Sequence, residues 1–372
     1  MSLPEWARWA DHDRSLTVGI EEEVMLLDPV SWSLAQAIDE LMPRLPPGLG
    51  ANVRPETHAA AAELGTGVHG TVATAIEELR ELRATLHDTL AGIELSVASA
   101  GTHPFAIWRE TTLSKGERYQ LVYGTMRELA KREPTFALHV HVGVSDAEAG
   151  IEAVNGLRAH LPLLLALSAN SPFWQGRDSG LASARTPVFQ AFPRVGIPRH
   201  FTDYAEWVGA VDLLVRLDAF PEPTFLWWDV RPQPRFGTVE VRIMDAQTTL
   251  ARTAGLAALV QCLVALELDR GYGDERAASP EVLVENRFFA ARDGVGAQLI
   301  DPVCERRVPV GEMVAALVEA CTPYARDLRC EAELLSVLDL VRAPADGHQL
   351  GVAARPEGLT GLVAELARDF LA

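Results

Sequence analysis

The chain has 372 residues, 48% hydrophobic and 23% charged, with 51 Asp and Glu against 33 Lys and Arg and a net charge of −18. That balance belongs to a folded protein with a real core, and it argues against a nucleic-acid-binding surface, which needs a basic footprint. No apolar run approaches the roughly 20 residues that cross a bilayer, and the start MSLPEWARWADHDRS lacks the basic end and apolar stretch of a secretory leader.

In chain order, the first element is a strand over residues 18–27, within TVGIEEEVMLL. Alternation there sends Glu21 and Glu23 to one face and Glu22 to the other. The stretch PETHAAAAELGTG follows, with Glu56 and Glu63 among alanines. A helix would put both on one face, and so would a chain bending from loop into strand. A carboxylate so placed either takes a cation or faces solvent. Residues 71–90 read as an amphipathic helix capped by Thr71. Val72, Ile76, Leu79, Leu82, Leu86 and Leu90 form its apolar stripe, and Glu77, Glu78, Arg80, Glu81 and Arg83 its other face.

Strands are expected over 95–100 and 136–144. In the second, LHVHVGV puts His139 and His141 on one face, against Leu138, Val140, Val142 and Val144 on the other. Two more strands cover 225–231 and 238–244, pairing Asp229 with Arg231 and Glu240 with Arg242 by alternation. Helices over 252–268, 310–328 and 359–371 make the last hundred residues largely helical. Cys262, Cys304, Cys321 and Cys330 form no C-x-x-C pair, so reduced thiols in a cytoplasmic protein, mostly small core residues, are expected. Irregularly spaced strands mixed with helices predict an α+β fold with a mainly antiparallel sheet. G-x-x-x-x-G-K-[ST] is missing from the sequence, so P-loop chemistry lacks its motif.

Several strands thus turn an apolar back to the core and a front of Glu, His, Asp and Arg outward. A solvated strand face favours Thr, Ser and Lys. Oxygen-rich ligands suit Mg²⁺ or Mn²⁺, with an imidazole shifting the balance toward Mn²⁺. Guanidinium groups beside them gain a role if polyphosphate binds there. His-x-His without a third His or Cys nearby is weak as a zinc site.

These segments resemble the carboxylate–amine ligase family, the YbdK-type or type 2 glutamate–cysteine ligases. The matching pieces, in the family's order, are GIEEE (19–23), Glu56 with Glu63, GTHP (101–104), HVHVGV (139–144), RTPVFQAFPRVGIP (185–198), WWDVRPQPRFGTVEVRIMDAQTT (227–249) and NRFFAARDGVGAQLID (286–301). The resemblance implies a curved, mainly antiparallel sheet with flanking helices, like the catalytic domains of glutamine synthetase and guanido kinases. It implies one catalytic domain over 1–372, with its core motifs in 17–301 and a mainly helical part from about 252.

It further implies ATP and Mg²⁺, or Mn²⁺, as cofactors. One metal position would be held by Glu23, Glu56 and Glu63, and a position nearer the ATP phosphates by Glu21, His139 and Glu240. His141 would reach ATP phosphate, Arg231 and Arg242 would neutralise phosphate or acyl phosphate, and Arg194 and His103 would touch substrate or nucleotide. The implied reaction joins glutamate to an amine such as cysteine through a γ-glutamyl phosphate. A different amine, or phosphoryl transfer to a guanidino or carboxylate acceptor, are the alternatives. Small-molecule substrates and a homo-oligomer are implied, with neither nucleic acid nor membrane. Residues 342–350, RAPADGHQL, depart from the family's Gly-x-Gly-Ala…Arg-Gln element, which bears on the amine.

Overall fold

The computed structural model describes residues 3–10, 15–132 and 134–372, so the start read for a leader lies partly outside the described residues. Among the described residues, seven strands form an antiparallel sheet. They are β1 (Val18–Leu27), β2 (Val53–Pro55), β3 (Ala61–Gly65), β4 (Ser96–Ala98), β5 (Ala137–Gly143), β6 (Val230–Gln233) and β7 (Thr238–Asp245), in the order β6-β7-β5-β1-β3-β2. The ten-residue β1 pairs with β3 along one edge, and with β5 and then β4 along the other. The α+β fold with a mainly antiparallel sheet is as the sequence predicts.

Register aligns the polar residues that alternation exposes. Glu21 lies opposite His139, Glu23 opposite Glu63, and His141 opposite Glu240, which in turn faces Arg231. Between Val241 and Met244 the register against β5 shifts by one residue. Such a bulge places two residues opposite one and re-aims a side chain, and here it brings Arg242 beside His139.

The back of the sheet is apolar and covered by helices. Helix α1 (Val72–Ala91) starts where the Thr71 hydroxyl accepts the Thr74 N–H, satisfying one of the free donors of the first turn. Helix α2 (Glu117–Met126) stands over the polar face, as the cavity below shows. Helix α3 (Leu250–Arg270) packs against β1, β5 and α1, burying Leu256, Leu259, Leu263 and Leu266. Contrary to the reading of the sequence, α3 is long and apolar enough to cross a bilayer by length and composition. It is nonetheless a core helix, with 89% of its apolar window buried. Helices α4 (Val310–Leu328), α5 (Glu331–Arg342), α6 (Ala345–Ala353) and α7 (Gly358–Arg368) complete the C-terminal part. Cys262, Cys321 and Cys330 are buried, and Cys304 is exposed.

Two local readings need correction. Arg83 does not lie on a solvated face of α1; it is wholly buried, as is Glu22. Its Nε and Nη2 donate to the Glu22 carboxylate at 2.9 Å each, and its other N–H groups reach the carbonyls of Gln247, Thr248 and Phe370. All five guanidinium donors are thereby used, and Thr253 donates to the same carboxylate at 2.6 Å. A buried charge is tolerated because it is paired and hydrogen-bonded. Second, residues 225–231 are not one strand. Trp227–Trp228 pairs with Val195–Gly196, and the Asp229 N–H goes to the Gly196 carbonyl, so the ladder with β7 starts at Val230. Asp229 instead holds Arg287, at 2.8 and 3.3 Å.

Candidate active site

The polar face of the sheet floors a cavity of about 600 Å³, within the roughly 300–1,000 Å³ range of small-molecule sites. Glu21, Glu23, Glu56, Glu63, His139, His141, Arg231, Glu240 and Arg242 all line it. Nine of the residues singled out in the sequence are thus brought together from five strands and the loop after β2.

His103 and Arg194, expected to touch substrate or nucleotide, are not among the residues that line this cavity. His103 bonds to the Trp32 carbonyl through Nε2 and accepts the Phe105 and Ala106 N–H groups at Nδ1, so it organises its own loop. Arg194 donates to the Ala219 carbonyl and lies over the rings of Phe220 and Trp227.

One end of the cavity is a clamp on Glu240. Arg231 meets its carboxylate with Nε at 2.7 Å and Nη2 at 3.2 Å, and Arg242 donates to the same group. Against the pull of burial, these two guanidinium groups and His141 hold Glu240 well below the usual carboxylate range. Glu21 is held low likewise, by His141 and His139, against its own burial. These two carboxylates stay ionised.

At the other end no guanidinium makes a close contact with the carboxyls among the described residues. Burial, then Glu56, pushes the Glu23 carboxyl up to about 8. Burial raises Glu56, and burial with Glu21, Glu56 and Glu23 as neighbours lifts Glu63 well up. Arg54, half exposed, reaches Glu63 at 3.8 Å and Glu21 at 3.9 Å without making close contact. Buried carboxylates crowded in this way either bind protons or need a cation.

Two sets of ligand atoms each lie within 4.8 Å of one another: Glu21, His139 and Glu240, and Glu23, Glu63 and His139. The first is the set implied by the resemblance. In the second, His139 takes the third corner where Glu56 was expected, because Glu56 Oε2 is turned to the Thr57 N–H at 2.9 Å. The imidazole faces both groups, with Nδ1 at 3.4 Å from Glu21 and Nε2 at 3.9 Å from Glu23. Burial and Arg242 hold it neutral, its pKa down at about 4, so it keeps a lone pair for a metal. His139 Nε2 and His141 Nε2 are buried without a hydrogen-bond partner among the described residues. Hard oxygen donors with the one neutral imidazole of His139 fit Mg²⁺ or Mn²⁺.

Several wall residues were not foreseen. Arg54 precedes Glu56 by two residues on the same alternation, and Arg185 opens a quoted motif, so both had a signal in the sequence. Arg118 and Tyr119 come from α2, which carries no motif. Tyr119 donates to the Pro55 carbonyl, and Arg118 pairs with Glu222. Residues 342–350 stay outside the cavity wall.

Carboxylates and an imidazole that could hold a cation lie beside guanidinium groups over an antiparallel sheet, a set that suits phosphate chemistry. Relatives narrow this class. Residues 17–351 match the family model described as glutamate–cysteine ligase family 2, so the chain belongs to that family and is an ATP-dependent ligase. It is 42% identical over 325 residues to a Rubrobacter xylanophilus protein provisionally named glutamate–cysteine ligase 2-1, covering 87% of this chain and 86% of that one. A Sorangium cellulosum protein with the provisional name glutamate–cysteine ligase 2 is 38% identical over 360 residues, covering 95% and 96%. Among solved structures, the Francisella tularensis glutamate–cysteine ligase in complex with AMP superposes with a TM-score of 0.70 at 14% identity, over 97% of this chain and 89% of that one. That likeness concerns the fold.

Proposed function

We propose that the chain joins the side-chain carboxylate of glutamate to an amine, most simply cysteine, forming γ-glutamylcysteine with release of ADP and phosphate. The observation that carries this reading is the division of one cavity into two ends. The Glu240 end holds guanidinium groups and ionised carboxylates for a nucleotide's phosphates. The Glu23 end has crowded carboxyls that would share a cation with an incoming carboxylate. The provisional names of the relatives supply glutamate and cysteine.

A carboxylate is a poor electrophile, and its oxygen a poor leaving group. In the proposed sequence a γ-carboxylate oxygen attacks the γ-phosphorus of ATP, and ADP departs. The amine then attacks the acyl carbon, phosphate leaves with the carboxylate oxygen, and the amine loses a proton. Glu21, His139 and Glu240 would hold one Mg²⁺, and Glu23, Glu56 and Glu63 a second, since the single lone pair of the neutral His139 ring serves one ion only. Such ions draw charge from the phosphate oxygens.

Arg231 and Arg242 would meet the charge that builds on the transferred phosphoryl group, and they are already oriented by Glu240 and, for Arg231, by the carbonyls of Thr224 and Leu226. His141, fixed by the Thr238 hydroxyl at 3.0 Å, is raised by Glu21 and Glu240 against its burial and offers a proton-bearing ring to phosphate. Arg185, on the Glu23 side, offers its charge to the carboxylate substrate. The test is ADP release with glutamate and a panel of amines. Release that needs both, with an amide as product, supports the reading. ADP formed at equal rate without amine, or a stable phosphorylated acceptor, would overturn it.

A further inference from the structure

Behind the cavity runs a buried polar chain that the proposed reaction does not use. Asp245, the last residue of β7, is wholly buried. It accepts the Asn170 N–H at 2.9 Å, the Ser171 hydroxyl at 2.6 Å and the Ser183 hydroxyl at 3.0 Å. Gly101, from GTHP, closes over it; a Cβ there would lie 2.6 Å from the Asp245 carboxylate.

Asn170 is held in turn from α6. Gln349 Nε2 donates to the Asn170 carbonyl at 2.8 Å and to its Oδ1 at 2.7 Å, leaving Asn170 Nδ2 for the Ala246 carbonyl. Gln349 is 1% exposed, and it belongs to the atypical segment 342–350.

At the cavity end of this chain stands Arg185. Its Nη1 lies 3.8 Å from Asp245 and donates to the Ile243 carbonyl at 3.0 Å, and Nη2 reaches the Arg242 carbonyl at 3.3 Å. Its main-chain N–H donates to the same Ser171 hydroxyl that bonds Asp245. Its Nε is buried without a partner among the described residues. Carbonyls fix the plane of this guanidinium, and Asp245 at 3.8 Å balances part of its charge. Arg231 and Arg242 donate directly to Glu240, whereas no hydrogen bond from Arg185 to a carboxylate is found among the described residues, which leaves it open to an anion on the Glu23 side. Such pre-organisation has value only where an anion is to be met.

We propose that Gln349, acting through Asn170 and Asp245, is a positioning residue for Arg185, so that residues 342–350 set affinity for the carboxylate substrate from outside the cavity. The identity of that substrate as glutamate rests on the ligase reading; the mechanical link does not.

The test uses Gln349→Met and Asp245→Asn in the full chain, with Gln349→Glu in reserve should the first not fold. The glutamate KM rises about tenfold, the scale of one charge-assisted hydrogen bond, while the ATP KM and kcat stay within about twofold. In an Arg185→Lys background the Gln349 substitution adds less than about twofold, since both act on one contact. A fall in melting temperature with the glutamate and ATP KM unchanged, or shifted equally, overturns the proposal. If the wild type releases no ADP with glutamate, the ligase reading fails and a crystal structure of Gln349→Met decides this one. A displaced Arg185 guanidinium supports it, and an unmoved one overturns it.

Discussion

Glu23→Gln keeps the shape of the side chain and its bond from the Ala137 N–H, at 2.7 Å in the wild type, while removing one charge from the crowded end of the cavity. Burial and Glu56 raise the Glu23 carboxyl from its ordinary 4.5 to about 8. At pH 7 the cation-free folded protein therefore holds a proton there that the unfolded chain has released, at a cost of about 3 kcal/mol. The native state binds more protons between pH 4.5 and 8, so this group lowers stability as pH rises through that window. Gln removes the term. Relaxation of the site and residual structure in the unfolded chain reduce the gain, and the cation-free variant should exceed the wild type by about 1–3 kcal/mol at pH 7.5, with no advantage at pH 4.5. A divalent cation at 100 times its Kd adds about 2.7 kcal/mol to the wild type, and the variant should lose most of that. Thermal and urea unfolding with chelator or with Mn²⁺ read both quantities. A cation-free variant less stable than the wild type, with the Mn²⁺ response intact, would refute the charge-crowding argument.

Arg83→Met strands the Glu22 carboxylate in the core and should cost about 3–5 kcal/mol in urea unfolding, with the Glu22→Gln/Arg83→Met pair costing less than the single change; equal costs would show that the pairing is not what matters. Burial holds His103 at about 4 against its ordinary 6.5. The unfolded chain then binds more protons between those values, and up to about 3 kcal/mol of stability is lost as pH falls through the window. His103→Gln should flatten that part of the pH–stability profile, and an unchanged profile would reject the assignment. Glu240→Gln leaves Arg231 and Arg242 without the carboxylate they share and should lower ADP release by about a hundredfold or more. Undiminished turnover would remove Glu240 from the site.

Much of this site was written in period-two alternation. Once Glu21, Glu23, His139, His141, Glu240 and Arg242 are assigned to strands, a shared face follows, and the register only chooses neighbours. What could not be read is longer in range. The one-residue bulge that turns Arg242 to His139 has no local mark. Arg83 looks like a solvated helix residue until Glu22 and three distant carbonyls surround it. Asp229 leaves the polar face because its N–H is claimed by Gly196, far away in sequence. Arg118 and Tyr119 reach the cavity through the placement of α2, which nothing in their own segment signals. GTHP supplies a glycine, Gly101, that lets Asp245 pack, a role only close approach reveals.

The central claim is that a substrate carboxylate becomes an acyl phosphate in this cavity. Glutamate labelled with oxygen-18 in its γ-carboxylate tests it most directly, with cysteine or another accepted amine, ATP and Mg²⁺. One labelled oxygen is expected in each phosphate released, bonded to phosphorus in the acyl phosphate and freed from carbon when the amide forms. Phosphate without label, at a full yield of amide, would contradict it.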